Sequence, residues 1–155
     1  MSRSMVRLHH GPPIYPSLKT YELIEHTADI GVRIKARSLK GLFKNSALAM
    51  FDIMARKQKK EVPAGKTFIV HQSAVNREEL LISWLNELLS LSAVKGVIFS
   101  AFTIKKLGER SLEATVKGED INSYKVETEI KAATFNGLVL KKSRSGWLAR
   151  MVFDV

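Results

Sequence analysis

The sequence predicts an α+β protein in which two main helices pack on a largely antiparallel sheet as a two-layer sandwich. Before Gly96, two segments carry apolar residues at helical spacing, whereas after it the chain turns to strand-like segments separated by glycines. The short distances between those segments are typical of antiparallel connections. A length of 155 residues with 45% apolar residues fits a single domain with one core.

The first clear strand covers residues 30–36, where apolar residues alternate with Gly31 and basic residues at a period of two. One face of this strand should therefore be basic and face water. From Ser38 the spacing becomes that of a helix, with Ser38 as the N-cap and Met54 as the last apolar position. The basic cluster 56–60 is suited to the C-terminus of that helix.

A second helix is predicted to begin after Asn76, because Asn76 and Glu79 resemble a capping box and apolar residues follow at helical spacing. A short strand, Thr67–His71, precedes it. Asn86 and Glu87 lie on this helix, and we interpret them as residues of its polar shoulder rather than as catalytic groups.

Five further strands are predicted after Gly96, at Val97–Lys106, Ser111–Lys117, Val126–Ala133, Leu138–Lys142 and Trp147–Asp154. Residues 1–20 contain three of the four prolines and no apolar periodicity. We expect residues 1–20 to form a flexible leader and residues 21–155 to form the folded domain.

Composition excludes several classes of function. The chain has no cysteine, which rules out disulfides, thiolate zinc sites and cysteine nucleophiles. It has no apolar run of the ~20 residues that cross a membrane and no secretory signal pattern, so no membrane contact and a cytoplasmic location are expected. No glycine-rich phosphate loop and no serine elbow are present, which disfavours nucleotide binding and hydrolase chemistry.

The net charge of +10 indicates a phosphate-rich or otherwise acidic partner. The cations form several patches, and they are either solvated strand faces and loop tips or a surface that faces nucleic acid. The candidates for a surface that binds tRNA or a protein partner are Arg33, Lys35, Arg37, Lys141, Lys142 and Arg144.

Acidic residues are concentrated at two places. Just before the strand 30–36 lie Glu25, His26 and Asp29. At the other end of the domain, Asp154 is followed by Val155 and the main-chain carboxyl group of Val155. If the last strand returns beside the first, these oxygens converge on a site for a hard cation such as Ca²⁺ or Mg²⁺. The alternative is that Asp29 only enters a strand, His26 is a boundary histidine and Asp154 is a frayed end.

The residues 21–31, Tyr-Glu-Leu-Ile-Glu-His-Thr-Ala-Asp-Ile-Gly, resemble the N-terminal signature of the archease family. Other segments resemble the same family in the same order, namely 47–51, 80–89, 118–119, 129–135, 146–147 and 153–155. Together they extend the resemblance over residues 21–155.

The resemblance implies a compact accessory protein with no turnover of its own. Archeases activate an RtcB-type RNA-splicing ligase in tRNA splicing by promoting its guanylylation and multiple turnover. Some are also described as chaperones of a tRNA cytosine-5 methyltransferase. By motif position, the metal ligands of the family correspond to Asp29 and Asp154, to which we add Val155. We expect a divalent metal, with calcium favoured and magnesium or manganese as alternatives.

The sequence departs from the family pattern in two chemical respects. Asn136 follows Thr134 and Phe135 where the family commonly has histidine, and an amide cannot act as a near-neutral acid or base. We therefore group Asn136 with Glu25 and His26 as candidate neighbours of the metal. The basic charge is also unusual, because archeases tend to be acidic. Direct tRNA binding stays open as a second function, and a metal-dependent hydrolase is the least favoured one.

Overall fold

Two helices and two main antiparallel sheets form the part of the chain that the structure describes. The structure is a computed structural model, and it describes residues 20–24, 29–59, 61 and 63–155. The helices are α1 (Leu39–Met54) and α2 (Arg77–Lys95). The strands are β1 (Tyr21–Ile24), β2 (Ile30–Ala36), β3 (Ala55–Lys57), β4 (Lys66–Ser73), β5 (Val97–Leu107), β6 (Ser111–Asp120), β7 (Tyr124–Val126), β8 (Ala132–Ser143) and β9 (Gly146–Asp154).

All strand pairs are antiparallel, and they divide into three sheets. The four-stranded sheet has the order β1-β2-β9-β8, the three-stranded sheet has the order β4-β6-β5, and β3 pairs with β7 as a small ribbon. Both helices contact strands of both larger sheets, so one core fills the space around the helices. The predicted α+β class, with two helices packed on antiparallel sheets, is confirmed. Neither helix in the described part of the chain is long and apolar enough to span a membrane.

Helix α1 begins as its local sequence predicts, but it ends differently. The Ser38 hydroxyl accepts a hydrogen bond from the Gly41 N–H at 3.0 Å, which satisfies one of the free donors of the first turn. After Met54 the backbone becomes extended at once, and residues 55–57 form β3 instead of a basic last turn. The pairing of β3 with β7 therefore replaces the predicted role of the basic cluster at the helix C-terminus.

Helix α2 is capped at both ends, and the capping box at its start is the one that its sequence predicts. The Asn76 side chain accepts from the Glu79 N–H at 2.8 Å, and the Glu79 carboxylate accepts in turn from the Val75 N–H at 3.0 Å. At the other end Gly96 has φ +67°, in the left-handed region that favours glycine. Between the caps, the buried Trp84 donates its indole N–H to the Phe43 carbonyl at 3.0 Å and joins α2 to α1.

The strand prediction is wrong for residues 127–131. Strand β7 ends at Val126, and the N–H groups of Glu127 and Thr128 donate to the carbonyl of Met54 at the end of α1. This segment therefore crosses the C-terminus of α1 rather than joining a sheet. The predicted strand Leu138–Lys142 is part of the longer β8. Of the predicted leader only Thr20 is described, so its boundary stays a prediction.

Candidate functional site

The four-stranded sheet has one face on the core and one on the opposite side, which we call the outer face. Val32 and Ile34 in β2 and Met151 and Phe153 in β9 are fully buried on the core side. Because successive side chains of a strand point to opposite faces, the residues between them point outward. The paired outward residues of β2, β9 and β8 are Gly31, Arg33, Lys35, Gly146, Leu148, Arg150, Val152, Asp154, Ala132, Thr134, Val139, Lys141 and Ser143.

The two predicted metal-binding aspartates meet at one end of this sheet. The ladder between β2 and β9 ends with the pair of Ile30 and Phe153, and Asp29 and Asp154 are the next residues of the two segments, so they are neighbours at this end of the sheet. The last strand therefore returns beside the strand 30–36, as convergence of the two acids required. Asp154 is exposed and Asp29 is half-buried.

Asp154 is not a frayed end. On the other side of β9 it pairs with Ala132 of β8, and its carbonyl accepts a hydrogen bond from the Lys131 N–H at 2.7 Å. Its backbone is thus held against the start of β8, while its side chain remains exposed. Val155, whose side chain is 38% exposed, follows it directly. We call Asp29, Asp154 and Val155 the acidic corner.

The donor atoms of the acidic corner fit a hard cation in type. Carboxylate and backbone oxygens are the ligands of Ca²⁺ and Mg²⁺, and two neighbouring carboxylates repel each other unless a cation lies between them. No cluster of three or more acidic or histidine side chains suited to a metal occurs among the described residues. Glu25 and His26, the predicted neighbours of the site, lie outside the described residues, so their contribution stays a prediction.

Asn136 lies in a bulge of β8 and away from the acidic corner along the strand. Thr134 pairs with Val152 and Val139 pairs with Arg150, so the four residues 135–138 lie opposite one residue of β9. Asn136 is exposed and is four residues along β8 from the partner of Asp154. Whether it reaches a bound metal stays a prediction.

The bulge also presents an aromatic ring to solvent. Phe135 is 54% exposed and borders an open cavity of about 440 Å³ beside α2. The other residues that line this cavity are polar, with the exception of Ile82: Gln72, Glu79, Ser83, Asn86 and Glu87.

The six predicted basic residues do not all lie on one face of the four-stranded sheet. Arg33, Lys35 and Lys141 project from the outer face. Lys142 pairs with Trp147 and therefore has the other orientation, although it is exposed. Arg37 and Arg144 are exposed; Arg37 follows β2, and Arg144 lies in the turn between β8 and β9.

Sequence reasoning misses Arg150 as a member of the outer face. Arg150 is exposed and pairs directly with Arg33. The alternation of β9 indicates that Arg150 points away from the core, but only the register shows which residue lies beside it. Arg33 also forms an ion pair with Glu22 of β1.

A second polar cluster joins β6, β7 and β3. Glu119 accepts a hydrogen bond from the Tyr124 hydroxyl at 2.7 Å and forms an ion pair with Lys57 at 3.2 Å. The hydrogen bond from Tyr124, with the charge of Lys57, holds the pKa of Glu119 below its usual value. Burial, and then the hydrogen bond to Glu119, raises the pKa of Tyr124. These contacts hold strands together, and we interpret the cluster as structural.

Tyr21 joins the edge strand β1 to helix α1. Its hydroxyl donates a hydrogen bond to the carboxylate of Asp52. Burial is the main cause of a raised pKa for Tyr21, and the bond to Asp52 adds to it. Tyr21 therefore stays protonated and anchors the strand that precedes the acidic corner.

Comparison with known proteins gives one consistent family. The sequence profile of the archease protein family matches residues 21–155. The protein archease of Methanosarcina acetivorans is 38% identical over 143 residues, which cover 88% of this chain and 97% of that protein. The protein archease of Pyrococcus furiosus is 33% identical over 146 residues, which cover 89% of this chain and 100% of that protein.

Two solved structures share the fold. The solution structure of Methanobacterium thermoautotrophicum protein 1598 matches with a TM-score of 0.71 and 30% identity, over 89% of this chain and 100% of that one. The crystal structure of an archease from Thermotoga maritima, described as a possible chaperone, matches with a TM-score of 0.59 and 23% identity. That match covers 96% of this chain and 100% of the Thermotoga chain.

Proposed function

Because this chain belongs to the archease family, we propose that it is an accessory protein that activates an RtcB-type RNA-splicing ligase in tRNA splicing. It acts in the cytoplasm and promotes guanylylation and multiple turnover of the ligase without being the catalyst. The observation that supports the proposal is the pairing of β2 with β9, whose last pair, Ile30 and Phe153, is adjacent in sequence to Asp29 and Asp154.

The acidic corner is the part of the chain that acts on the ligase. Asp29, Asp154 and the backbone oxygens of Val155 would hold a divalent cation, with Ca²⁺ favoured by the all-oxygen donor set. Such a cation supplies positive charge and free coordination positions to a partner. The exposed side chain of Asp154 gives the ligase access to the corner, and the pairing of its backbone with Ala132 of β8 keeps the corner in place.

Activation requires that the acidic corner bind one state of the ligase more tightly than another. A partner with equal affinity for both states shifts no equilibrium, however tightly it binds. A tenfold increase in the population of the guanylylation-competent state corresponds to a difference of about 1.4 kcal/mol in binding free energy. One cation-mediated contact made only in that state is sufficient for this.

The test is RNA ligation under multiple-turnover conditions, with limiting ligase, GTP and divalent metal. Four additions are compared: none, the wild-type chain, Asp29→Ala and Asp154→Ala. The wild-type chain should increase the number of turnovers per ligase, and both variants should lose this effect while they unfold at the wild-type temperature.

The matched control is Glu109→Ala, which removes an exposed carboxylate from the turn between β5 and β6. This variant should stimulate the ligase as the wild type does. Full stimulation by both aspartate variants would disprove the role of the acidic corner. No stimulation by the folded wild-type chain would disprove the activator function itself.

A second candidate function is that of a chaperone for a tRNA cytosine-5 methyltransferase. The exposed ring of Phe135 beside an open cavity favours it, because a solvent-exposed aromatic side chain can contact an apolar segment of a client protein. The wild-type chain should keep such a methyltransferase soluble during heating, and Phe135→Ala should not. Equal protection by both proteins would remove the support that Phe135 gives.

A further inference from the structure

The outer face of the four-stranded sheet carries four cations in two neighbouring rows. Arg33 pairs with Arg150 in the first row. In the second row Lys35 pairs with Leu148, which pairs in turn with Lys141 of β8. Neighbouring strands are about 4.8 Å apart, and successive outward positions are about 6.7 Å apart. We call Arg33, Lys35, Lys141 and Arg150 the cationic patch.

The cationic patch is not explained by the stability of the sheet. Like charges directly opposite each other in an antiparallel pair are destabilising, and Arg33 and Arg150 are such a pair. Glu22 forms an ion pair with Arg33 and offsets part of this repulsion. Among the paired outward positions of β1, β2, β9 and β8, Glu22 is the acid nearest to the patch. The patch therefore suits an external anion.

The outward positions of the three-stranded sheet are different. There Lys106 pairs with Glu113, and Thr103 pairs with Thr115. Opposite charges and hydroxyl groups face each other, as expected for a solvated surface with no charged partner. Lys117 is also outward on this sheet, but its partners are Thr67 and Ala101, so no two cations face each other in the pairs of this sheet.

The composition of the patch favours RNA over an acidic protein. A protein interface needs an apolar centre, and the apolar residues paired with the cationic patch are only the half-buried Leu148 and Val139, which pairs with Arg150. Arginine side chains match the geometry of phosphate oxygens, and two of them lie side by side. No aromatic ring occupies a paired outward position of β2, β9 or β8, so bases have nothing to stack on there.

We propose that the cationic patch binds the phosphate backbone of folded RNA. Arg150 and Asp154 point to the same face and are four residues apart in β9, which is about 13 Å along the strand. RNA on the patch therefore lies next to the acidic corner. The proposed RNA binding involves this chain alone, so its test does not depend on any effect on a ligase.

The test measures binding of a fluorescent RNA hairpin by anisotropy at several salt concentrations, with no ligase present. Four phosphate contacts predict a log–log salt slope of about −3.6, so the affinity of the wild type should fall about 150-fold between roughly 50 and 200 mM salt. The patch variant Lys35→Glu with Arg150→Glu should bind at least tenfold more weakly, with a slope reduced in size by about 2.

The control variant, Lys66→Glu with Lys125→Glu, changes the net charge equally but lies on β4 and β7, outside the four-stranded sheet. It should bind the hairpin within about threefold of wild type if local phosphate contacts dominate. Thermal unfolding verifies that both double variants are folded. The proposal would be overturned if the two double variants lost RNA affinity equally, or if the salt slope of the patch variant equalled that of wild type. Binding of polyglutamate without binding of RNA would overturn it in favour of an acidic protein partner.

Discussion

The side-chain amide of Asn86 pairs with the backbone of Ala133 through two hydrogen bonds. Its Nδ2 donates to the Ala133 carbonyl at 3.1 Å, and its Oδ1 accepts from the Ala133 N–H at 2.8 Å. Strand β8 is an edge strand, and Ala133 pairs with Phe153 on its other side. The amide of α2 thus satisfies backbone groups that a neighbouring strand would otherwise satisfy. Asn86 fixes β8 beside β9, the strand that carries Asp154.

Replacing Asn86 with alanine should destabilise the protein by about 2–3 kcal/mol, because it leaves both polar groups of a half-buried backbone without partners. Urea unfolding measures this free energy. The control is Asn122→Ala, an exposed amide, which should change the free energy by less than about 0.5 kcal/mol. Equal values for the two variants would show that the amide of Asn86 contributes no stability.

Two glycines of the four-stranded sheet should respond very differently to alanine. Gly146 has φ +144°, and a Cβ there would lie 2.2 Å from the carbonyl oxygen of Ala36. Gly137 has φ +69° in the β8 bulge, and a Cβ there meets open space. Gly146→Ala should therefore lower the free energy of unfolding by about 3–5 kcal/mol, because it causes both backbone strain and a steric clash.

Gly137→Ala should cost only the penalty for a left-handed residue, about 1–2 kcal/mol. The two variants are compared by thermal unfolding under identical conditions. An equal decrease in melting temperature would contradict the close contact between Gly146 and Ala36.

The lowered pKa of Glu119 makes stability depend on acid pH. The folded state favours the ionised carboxylate, first through the Tyr124 hydroxyl and then through Lys57. This contribution is present above the ordinary pKa of 4.5 and is lost as the pH falls through the lowered pKa of the folded state. Glu119→Gln should therefore lose stability at neutral pH and show a smaller decrease below pH 4.5 than wild type.

Chemical unfolding at a series of pH values between neutrality and strong acid measures this effect. The exposed Glu109, replaced by glutamine, is the control and should leave the pH profile unchanged. Parallel profiles for Glu119→Gln and the wild type would mean that Glu119 has no linkage to folding.

Calcium should stabilise the chain if it binds at the acidic corner. A ligand at 100 times its dissociation constant adds about 2.7 kcal/mol to the free energy of unfolding, which raises the melting temperature of a chain of this length by roughly 5–10 °C. Asp154→Asn should abolish the increase, and Glu109→Gln should keep it. The measurement is thermal unfolding of chelator-treated protein with and without added calcium. An increase that survives Asp154→Asn would place the cation elsewhere.

The starts of the two helices and the strand alternation were predictable because they depend on neighbours in sequence. Ser38 and Asn76 cap their helices within one turn, and outward residues alternate with core residues along β2. The β8 bulge was not predictable in this way. The segment around Gly137 has the pattern of a turn between two strands, yet β9 pairs with the residues on both sides of it and holds them in one strand.

The residue types available for function, namely the aspartates 29 and 154 and an excess of basic side chains, can be read directly from the sequence. The fold is needed to show that Asp29 and Asp154 are neighbours at one end of the sheet and that Arg150 lies opposite Arg33. Both relationships arise because β2 pairs with β9. Strands more than a hundred residues apart are aligned by burial of their core faces, and a shift of one residue would turn every side chain to the other side.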